Sequence, residues 1–252
     1  MKEYIYDFLL MVQFLTRLPV KRSLPCEAKN FRDGAAMLPL VGLLVGGIQW
    51  IVYYGCMRLF PVEVTTVLTL AVGVLIMGCL HQDGFGDIFD GFFSFKGDKD
   101  KIIEIMKDSR IGTFASVALM FDILARYAAL NFIILKGWHF VIIIAPVISR
   151  CTLVFLFLIG KNAKKNGTGN LFIGNVSIWH FIISFVVTIA LSIVFIGVKS
   201  TIIVIPVAFI VTLLFLKLCN SKIGGITGDC LGANNEFVEL AILIAFTAIL
   251  RV

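Results

Sequence analysis

The run Trp138-His139-Phe140-Val141-Ile142-Ile143-Ile144-Ala145-Pro146-Val147-Ile148-Ser149-Arg150-Cys151-Thr152-Leu153-Val154-Phe155-Leu156-Phe157-Leu158-Ile159-Gly160 carries a single formal charge, Arg150. As an α-helix it would be about 34 Å long, enough to cross the roughly 30 Å hydrocarbon core of a bilayer. Working outward, runs of comparable length occur at 36–58, 62–80, 111–135, 178–198 and 201–219, and shorter ones at 4–18 and 236–250. The pattern predicts an all-α, polytopic transmembrane helix bundle of six to eight membrane helices with short interfacial helices. Within the span at 36–58, Gly42 and Gly46 form a small-x-x-x-small pair that lets another helix approach closely.

Composition agrees. Of 252 residues 59% are hydrophobic and 15% charged, against roughly 25% charged in a soluble domain. No polar stretch is long enough for a second domain, so residues 1–252 read as one integral-membrane unit. The apolar start runs into Arg17 and Pro19 without a small-residue cleavage site and is expected to be retained. The net charge of +6 is expected to report loop topology and contact with anionic lipid; no element resembles a nucleic-acid reader. Cys26, Cys56, Cys79, Cys151, Cys219 and Cys230 show no Cys-x-x-Cys spacing, and reduced thiols are expected.

Basic residues alternate between connections. Arg17, Lys21, Arg22, Lys29 and Arg32 precede the first long run; Lys96, Lys99, Lys101, Lys107 and Arg110 lie in 81–110; Lys161, Lys164 and Lys165 lie in 161–177; Lys217 and Lys222 follow 216. The intervening connections hold Arg58, Lys136 and Lys199 singly. The positive-inside rule then places every richly basic loop in the cytoplasm.

Polar motifs interrupt the apolar chain on that side. His81-Gln82-Asp83-Gly84-Phe85-Gly86-Asp87-Ile88-Phe89-Asp90-Gly91 puts three carboxylates into eight residues. On a helix Asp83, Asp87 and Asp90 share one face within roughly 60°, with Phe85, Phe89 and Phe92 opposite. Like charges so close repel, and a hard divalent cation such as Mg²⁺ reverses the sign, taking one or two carboxylates and completing its shell with water and phosphate oxygens. The alternative is a solvated acidic loop, but each of Gly84, Gly86 and Gly91 costs a helix about 1 kcal/mol, a burden better explained by close approach of ligand or backbone. Asp108 and Asp229 add further carboxylates, and the set suits one or two ions.

Residues 99–113 read as a short surface helix running into the next span, with Lys107 and Arg110 on one face. They are either phosphate partners or anchors that snorkel to headgroups. Gly224-Gly225-Ile226-Thr227-Gly228-Asp229 is either an anion-binding nest or a turn between helices. Asp122 and Arg126, at i and i+4 in a span, are expected to pair as a structural buttress. Arg150 has no acidic residue within a turn, so it needs a cavity, another helix or a ligand anion. His81 is a candidate general base or a support for the metal; His139 and His180, each after a tryptophan, read as interfacial.

At these residues the chain resembles the cobalamin synthase family, membrane enzymes also called adenosylcobinamide-GDP ribazoletransferases. The likeness runs through Phe14-Leu15-Thr16-Arg17-Leu18-Pro19, Pro39-Leu40-Val41-Gly42, the His81 to Gly91 motif, Ile105 to Thr113, Ala145-Pro146 with Arg150, and Gly228-Asp229 with Leu231-Gly232. Two departures are visible: Gly78-Cys79 stands where the family pattern has Gly-Gly, and Ala115 where it has Gly. The resemblance implies that residues 1–252 form a single catalytic domain in which the 3′-hydroxyl of α-ribazole, or of its 5′-phosphate, attacks the cobinamide-side phosphorus of adenosylcobinamide-GDP and GMP leaves. It implies Mg²⁺ held by Asp83, Asp87 and Asp90; substrate binding by Lys107, Asp108, Arg110, Arg150, Thr227 and Asp229; and a proton taken by a carboxylate of the cluster or by His81. The Asp-Gly-x-x-Asp-x-x-Asp pattern is also similar to that of CDP-alcohol phosphotransferases, whose motif carries an Ala-Arg pair absent at Phe85 to Ile88. An ion-coupled transporter is a rival from another class, because intramembrane carboxylates also mark cation paths. A bilayer-embedded enzyme with its site facing the cytoplasm is the expectation, and a homo-oligomer is compatible with it.

Overall fold

The computed structural model describes residues 2–94, 97–164 and 167–251; Lys96 and Lys165, counted above among the basic loop residues, lie outside them. The described residues form α1 (Lys2–Leu15), α2 (Ala28–Gly34), α3 (Leu38–Cys56), α4 (Val62–Met77), α5 (Leu80–Ser94), α6 (Lys99–Ile105), α7 (Thr113–Leu135), α8 (Val141–Ile159), α9 (Ile178–Ile223) and α10 (Gly228–Ile249). Their sole β pairing is an isolated bridge between Asn162 and Ile226. The all-α helix-bundle expectation holds. Five helical stretches are long and apolar enough to cross a membrane, and a sixth if α4 and α5 count as one bent span. The chain is a multi-pass membrane protein.

The run read first becomes the centre of the bundle. α8 is buried on all sides by α3, α9 and α10, which is why it shows no polar stripe. Gly42 and Gly46 of α3 are the positions where the α8 backbone comes closest: a β-carbon at Gly46 would lie 2.8 Å from the Ile143 carbonyl oxygen, and one at Gly42 would collide with that of Pro146. The small-residue pair is therefore a helix-crossing point.

Three boundaries differ from the periodicity. The runs 178–198 and 201–219 belong to one helical stretch that reverses at Gly197, with φ +75°. The Phe185 and Phe209 rings lie 5.8 Å apart, whereas 24 residues of straight helix would separate them by about 36 Å, so the two legs lie side by side. The run at 236–250 is the inner part of α10, which starts at Gly228 and is long enough to span. The run at 4–18 forms only the 14-residue α1. α1 packs on α2, where the Asn30 side-chain amide donates to the buried Asp7 carboxylate at 2.8 Å.

The fourth difference shapes the site. α4 stops at Met77, and α5 leaves it at 89°. The bend is made by Gly78 and Cys79, both at φ +60°, the left-handed region that a β-carbon disfavours. Two consecutive left-handed residues explain why a Gly-Gly pair suits this position.

Candidate active site

α5 is a helix, with the three carboxylates on one face as the spacing predicts. Phe85 and Phe92 are buried opposite, and the Phe85 ring lies 5.0 Å from that of Phe237 on α10. Each glycine marks a close approach. A β-carbon at Gly84 would sit 2.7 Å from the Asp229 carbonyl oxygen, at Gly86 3.3 Å from the Ala115 side chain, and at Gly91 against Met106. Gly232 of α10 faces the His81 backbone in the same way. The glycines let α5 lie directly on α10 and α7, and that contact brings the separate polar motifs together.

Asp83, Asp87 and Asp90 line a cavity of about 510 Å³ with Lys107, Asp108 and Arg110. The two cations are not on a helix face as the spacing suggested. α6 ends at Ile105, and residues 106–112 form a loop along the cavity rim. Arg110 is exposed and forks onto Asp108, its Nε 3.0 Å from Oδ1 and a terminal nitrogen 2.6 Å from Oδ2. This hydrogen bonding from Arg110 holds the Asp108 carboxyl well below its ordinary range, at about 2.

The three aspartates have different surroundings. Asp90 accepts the backbone N–H of Gly112 at 2.6 Å and of Ala115 at 3.0 Å, so it caps the N-terminus of α7. Asp87 is half-buried and faces the like charges of Asp229, Asp83 and Asp90, with Lys164 the opposing cation. Asp83 is the exposed member and also borders a second, smaller cavity of about 130 Å³ shared with His81 and Asp229.

Asp229 reaches the site through a local construction. The α9 helix ends at Gly224, φ +71°; the Ile226 N–H then donates to the Lys161 carbonyl at 2.8 Å, and the Ala163 N–H to the Ile226 carbonyl at 3.0 Å. Thr227 caps α10 by accepting the Cys230 N–H at 3.3 Å. Residues 224–229 thus form a turn between helices in which the N–H groups of Gly224 and Ile226 bond within the protein. Thr227 is buried, and its hydroxyl also donates to the Asp229 carboxylate at 3.1 Å. The bridge sets Lys164 3.3 Å from the Asp229 carboxylate.

Arg150 lies away from both cavities. It is fully buried and its partner is Glu239 of α10, with Ser149 alongside; it also lines a third cavity, of about 70 Å³, with Gln82, Arg126, Glu236 and Glu239, so both another helix and a cavity meet it. Arg126 pairs with Asp122 at 2.8 Å as the i, i+4 spacing predicts, and also with Glu236 at 2.9 Å and Glu239 at 3.2 Å. Glu236 in turn takes the Gln82 amide at 3.0 Å and stands 3.6 Å from His81 Nδ1. His81 is accordingly buried between this ionic cluster and the smaller cavity. His139 accepts the Trp50 indole N–H at 2.9 Å.

Gln82, Lys164, Glu236 and Glu239 escaped the reading of the sequence as site residues. Charge bookkeeping was the available signal: two carboxylates in an apolar run and two arginines in others need one another in hydrocarbon.

Oxygen donors around a half-buried carboxylate that faces three others are a donor set for a hard divalent cation. Among the described residues no three ligating side chains already enclose a metal position, a condition Mg²⁺ does not impose, since it usually keeps water and takes one or two carboxylates. The residues fit such an ion.

A family model described as Cobalamin-5-phosphate synthase matches residues 7–247. A Clostridium tetani protein named adenosylcobinamide-GDP ribazoletransferase is 66% identical, covering 99% of each chain. Proteins of the same name from Clostridium kluyveri and Clostridium botulinum strain Kyoto are 48% and 46% identical, over 99% and 97% of this chain and 99% and 98% of theirs. No solved structure matches. A family match over nearly the whole chain, joined to relatives aligned end to end, shows that the chain belongs to the cobalamin-5-phosphate synthase family.

Proposed function

We propose that this chain is an adenosylcobinamide-GDP ribazoletransferase of the nucleotide-loop assembly step in cobalamin biosynthesis, and that the α5 carboxylates carry its chemistry. The observation that supports this reading is the single cavity in which three aspartates face Lys107 and Arg110. Acids on one wall suit a divalent cation, and cations on the other suit the diphosphate it accompanies.

In the reaction the 3′-oxygen of α-ribazole, free or 5′-phosphorylated, forms a bond to the cobinamide-side phosphorus. The bond from that phosphorus to the oxygen of GMP breaks, and GMP leaves with the electron pair. Asp83, Asp87 and Asp90 would hold Mg²⁺, which when bound would supply neutralisation and orientation of the diphosphate oxygens. Lys107 and Arg110 bear on the nonbridging oxygens, Arg110 after exchanging Asp108 for phosphate. The hydroxyl proton passes to a carboxylate of the cluster or to His81; Asp83, which borders both cavities, is the best placed. Asp90 does double duty, since each oxygen that accepts an N–H of α7 keeps a second lone pair. Arg150 supports α10 through Glu239. The basic residues of 17–34, 81–110 and 161–177 support a cytoplasmic orientation of this face at the cell membrane.

The test is purified protein in detergent given adenosylcobinamide-GDP, with α-ribazole and Mg²⁺ omitted in turn. GMP release only when all are present is the expected result. Turnover with either omitted, or cation flux in vesicles without turnover, would overturn it.

A further inference from the structure

We propose that the smaller cavity, walled by Phe14, Phe157 and Phe172, seats the flat aromatic base of the alcohol substrate. The inference rests on the transfer reaction proposed above and assigns one of its substrates a place.

The cavity lies where α1, α5, α8, α10 and the turn at 168–171 meet. Its walls are aromatic and aliphatic. The Phe157 and Phe172 rings are stacked, with centroids 4.7 Å apart and planes 16° from parallel, and Phe14 stands 5.7 Å from Phe172. Polar side chains on its lining are confined to His81, Asp83 and Asp229. Asp83 also lines the larger cavity, so the two spaces meet at that carboxylate.

Three groups compete for this space. A corrin ring is far larger than about 130 Å³. Guanine's amide and amino groups would have to turn to Asp229 and Asp83, the first already paired with Lys164 and the second assigned to the metal, and its carbonyl and ring nitrogens would be left against apolar walls. A benzimidazole has two fused rings and little polarity, and it gains from stacking on phenylalanine. The anionic diphosphate is disfavoured here by Asp83 and Asp229 and favoured beside Lys107 and Arg110. With the base among the phenylalanines, its ribose emerges at Asp83, where the hydroxyl meets the phosphorus.

The experiment is steady-state kinetics of the full chain in detergent with Phe157→Leu and Phe172→Leu, and with benzimidazole as a probe on the unaltered protein. The expected result is a rise in KM for α-ribazole of roughly three- to tenfold, the worth of one ring contact. The KM for adenosylcobinamide-GDP should not change. Benzimidazole should compete with α-ribazole and not with adenosylcobinamide-GDP. A shift confined to the KM for adenosylcobinamide-GDP, an unchanged KM for both, or failure of benzimidazole to compete overturns the assignment. Should a variant fail to fold, the competition on the unaltered chain still decides. If the unaltered chain releases no GMP at all, the reaction itself is wrong; equilibrium dialysis of benzimidazole then tests the cavity separately, and no binding overturns it.

Discussion

Asp90 on α5 accepts the backbone N–H of Gly112 at 2.6 Å, across 22 residues of sequence. This bond makes one carboxylate serve two purposes. It ends the cavity-rim loop that carries Lys107 and Arg110 and starts α7, while its carboxylate stays in the acidic wall of the same cavity. A β-carbon at residue 112 would strike the Asp90 carboxylate, so a larger residue there would displace it.

The two purposes separate by substitution. Asparagine caps helices about as well as aspartate, whereas alanine at a cap costs about 1 kcal/mol. Both Asp90 oxygens accept an N–H here and asparagine can keep only one of the two bonds, so Asp90→Asn should lower the thermal midpoint less than Asp90→Ala does while both lose turnover, as measured by thermal shift in detergent and by GMP release. An Asp90→Asn enzyme of normal rate at limiting Mg²⁺ would leave Asp90 with the cap alone.

Asp83→Asn and Asp87→Asn should each lower turnover by at least about a hundredfold, the scale on which a single group stabilising transition-state charge counts. Their effect on stability should have the opposite sign. Without Mg²⁺, Asp87→Asn removes a carboxylate that faces three others, so its midpoint should rise above that of the unaltered protein. Mg²⁺ should raise the midpoint of the unaltered protein and do little for Asp87→Asn; equal shifts in both would remove Asp87 from the ligand set.

The left-handed bend between α4 and α5 offers a stabilising change. Cys79 holds φ +60° with an exposed side chain. Glycine relieves the conformational strain, partly offset by its greater freedom when unfolded, for a net gain of about 0.5–1 kcal/mol. Cys79→Gly should raise the midpoint by a few degrees with activity retained, read in the same thermal assay.

The ionic cluster among α7, α8 and α10 should respond steeply. Arg126→Met leaves Asp122, Glu236 and Glu239 without their shared cation, and breaking a buried ion pair on one side costs about 3–5 kcal/mol. Loss of monodisperse protein on size exclusion, or a midpoint lowered by many degrees, is expected. Glu236→Gln retains the contact to Gln82 and should be milder.

Asp108 should be silent to pH in the working range. Its carboxyl is held near 2, so the folded pKa lies below the unfolded one. The pair with Arg110 is then fully present above the ordinary carboxylate range and is lost only as pH falls through about 2. Asp108→Asn should free Arg110 and lower the KM for adenosylcobinamide-GDP at every pH from 5 to 8, whereas an acid limb in the rate profile that disappears in this variant would contradict the pairing.

Apolar runs and the i, i+4, i+7 carboxylates were legible in the chain because both are local: bilayer thickness fixes helix length, and helical pitch fixes which side chains share a face. The Asp122–Arg126 pair was legible for the same reason. The partners of Arg150 and the companions of Arg126 were not, because Glu236 and Glu239 lie on another helix, and only packing decides which helices touch. The rim loop at 106–112 escaped too, since helical periodicity does not show where a short surface helix stops.

The sequence by itself determined a membrane helix bundle bearing an acidic face, since a charge in hydrocarbon or a repeated aspartate has few physical explanations. Tertiary structure alone decided that Asp229 and Lys164 join that face, that Asp90 also caps α7, and that Phe14, Phe157 and Phe172 enclose a cavity beside Asp83. Those contacts depend on how closely glycine-bearing helices can approach, a property of pairs of surfaces that no single stretch of chain contains.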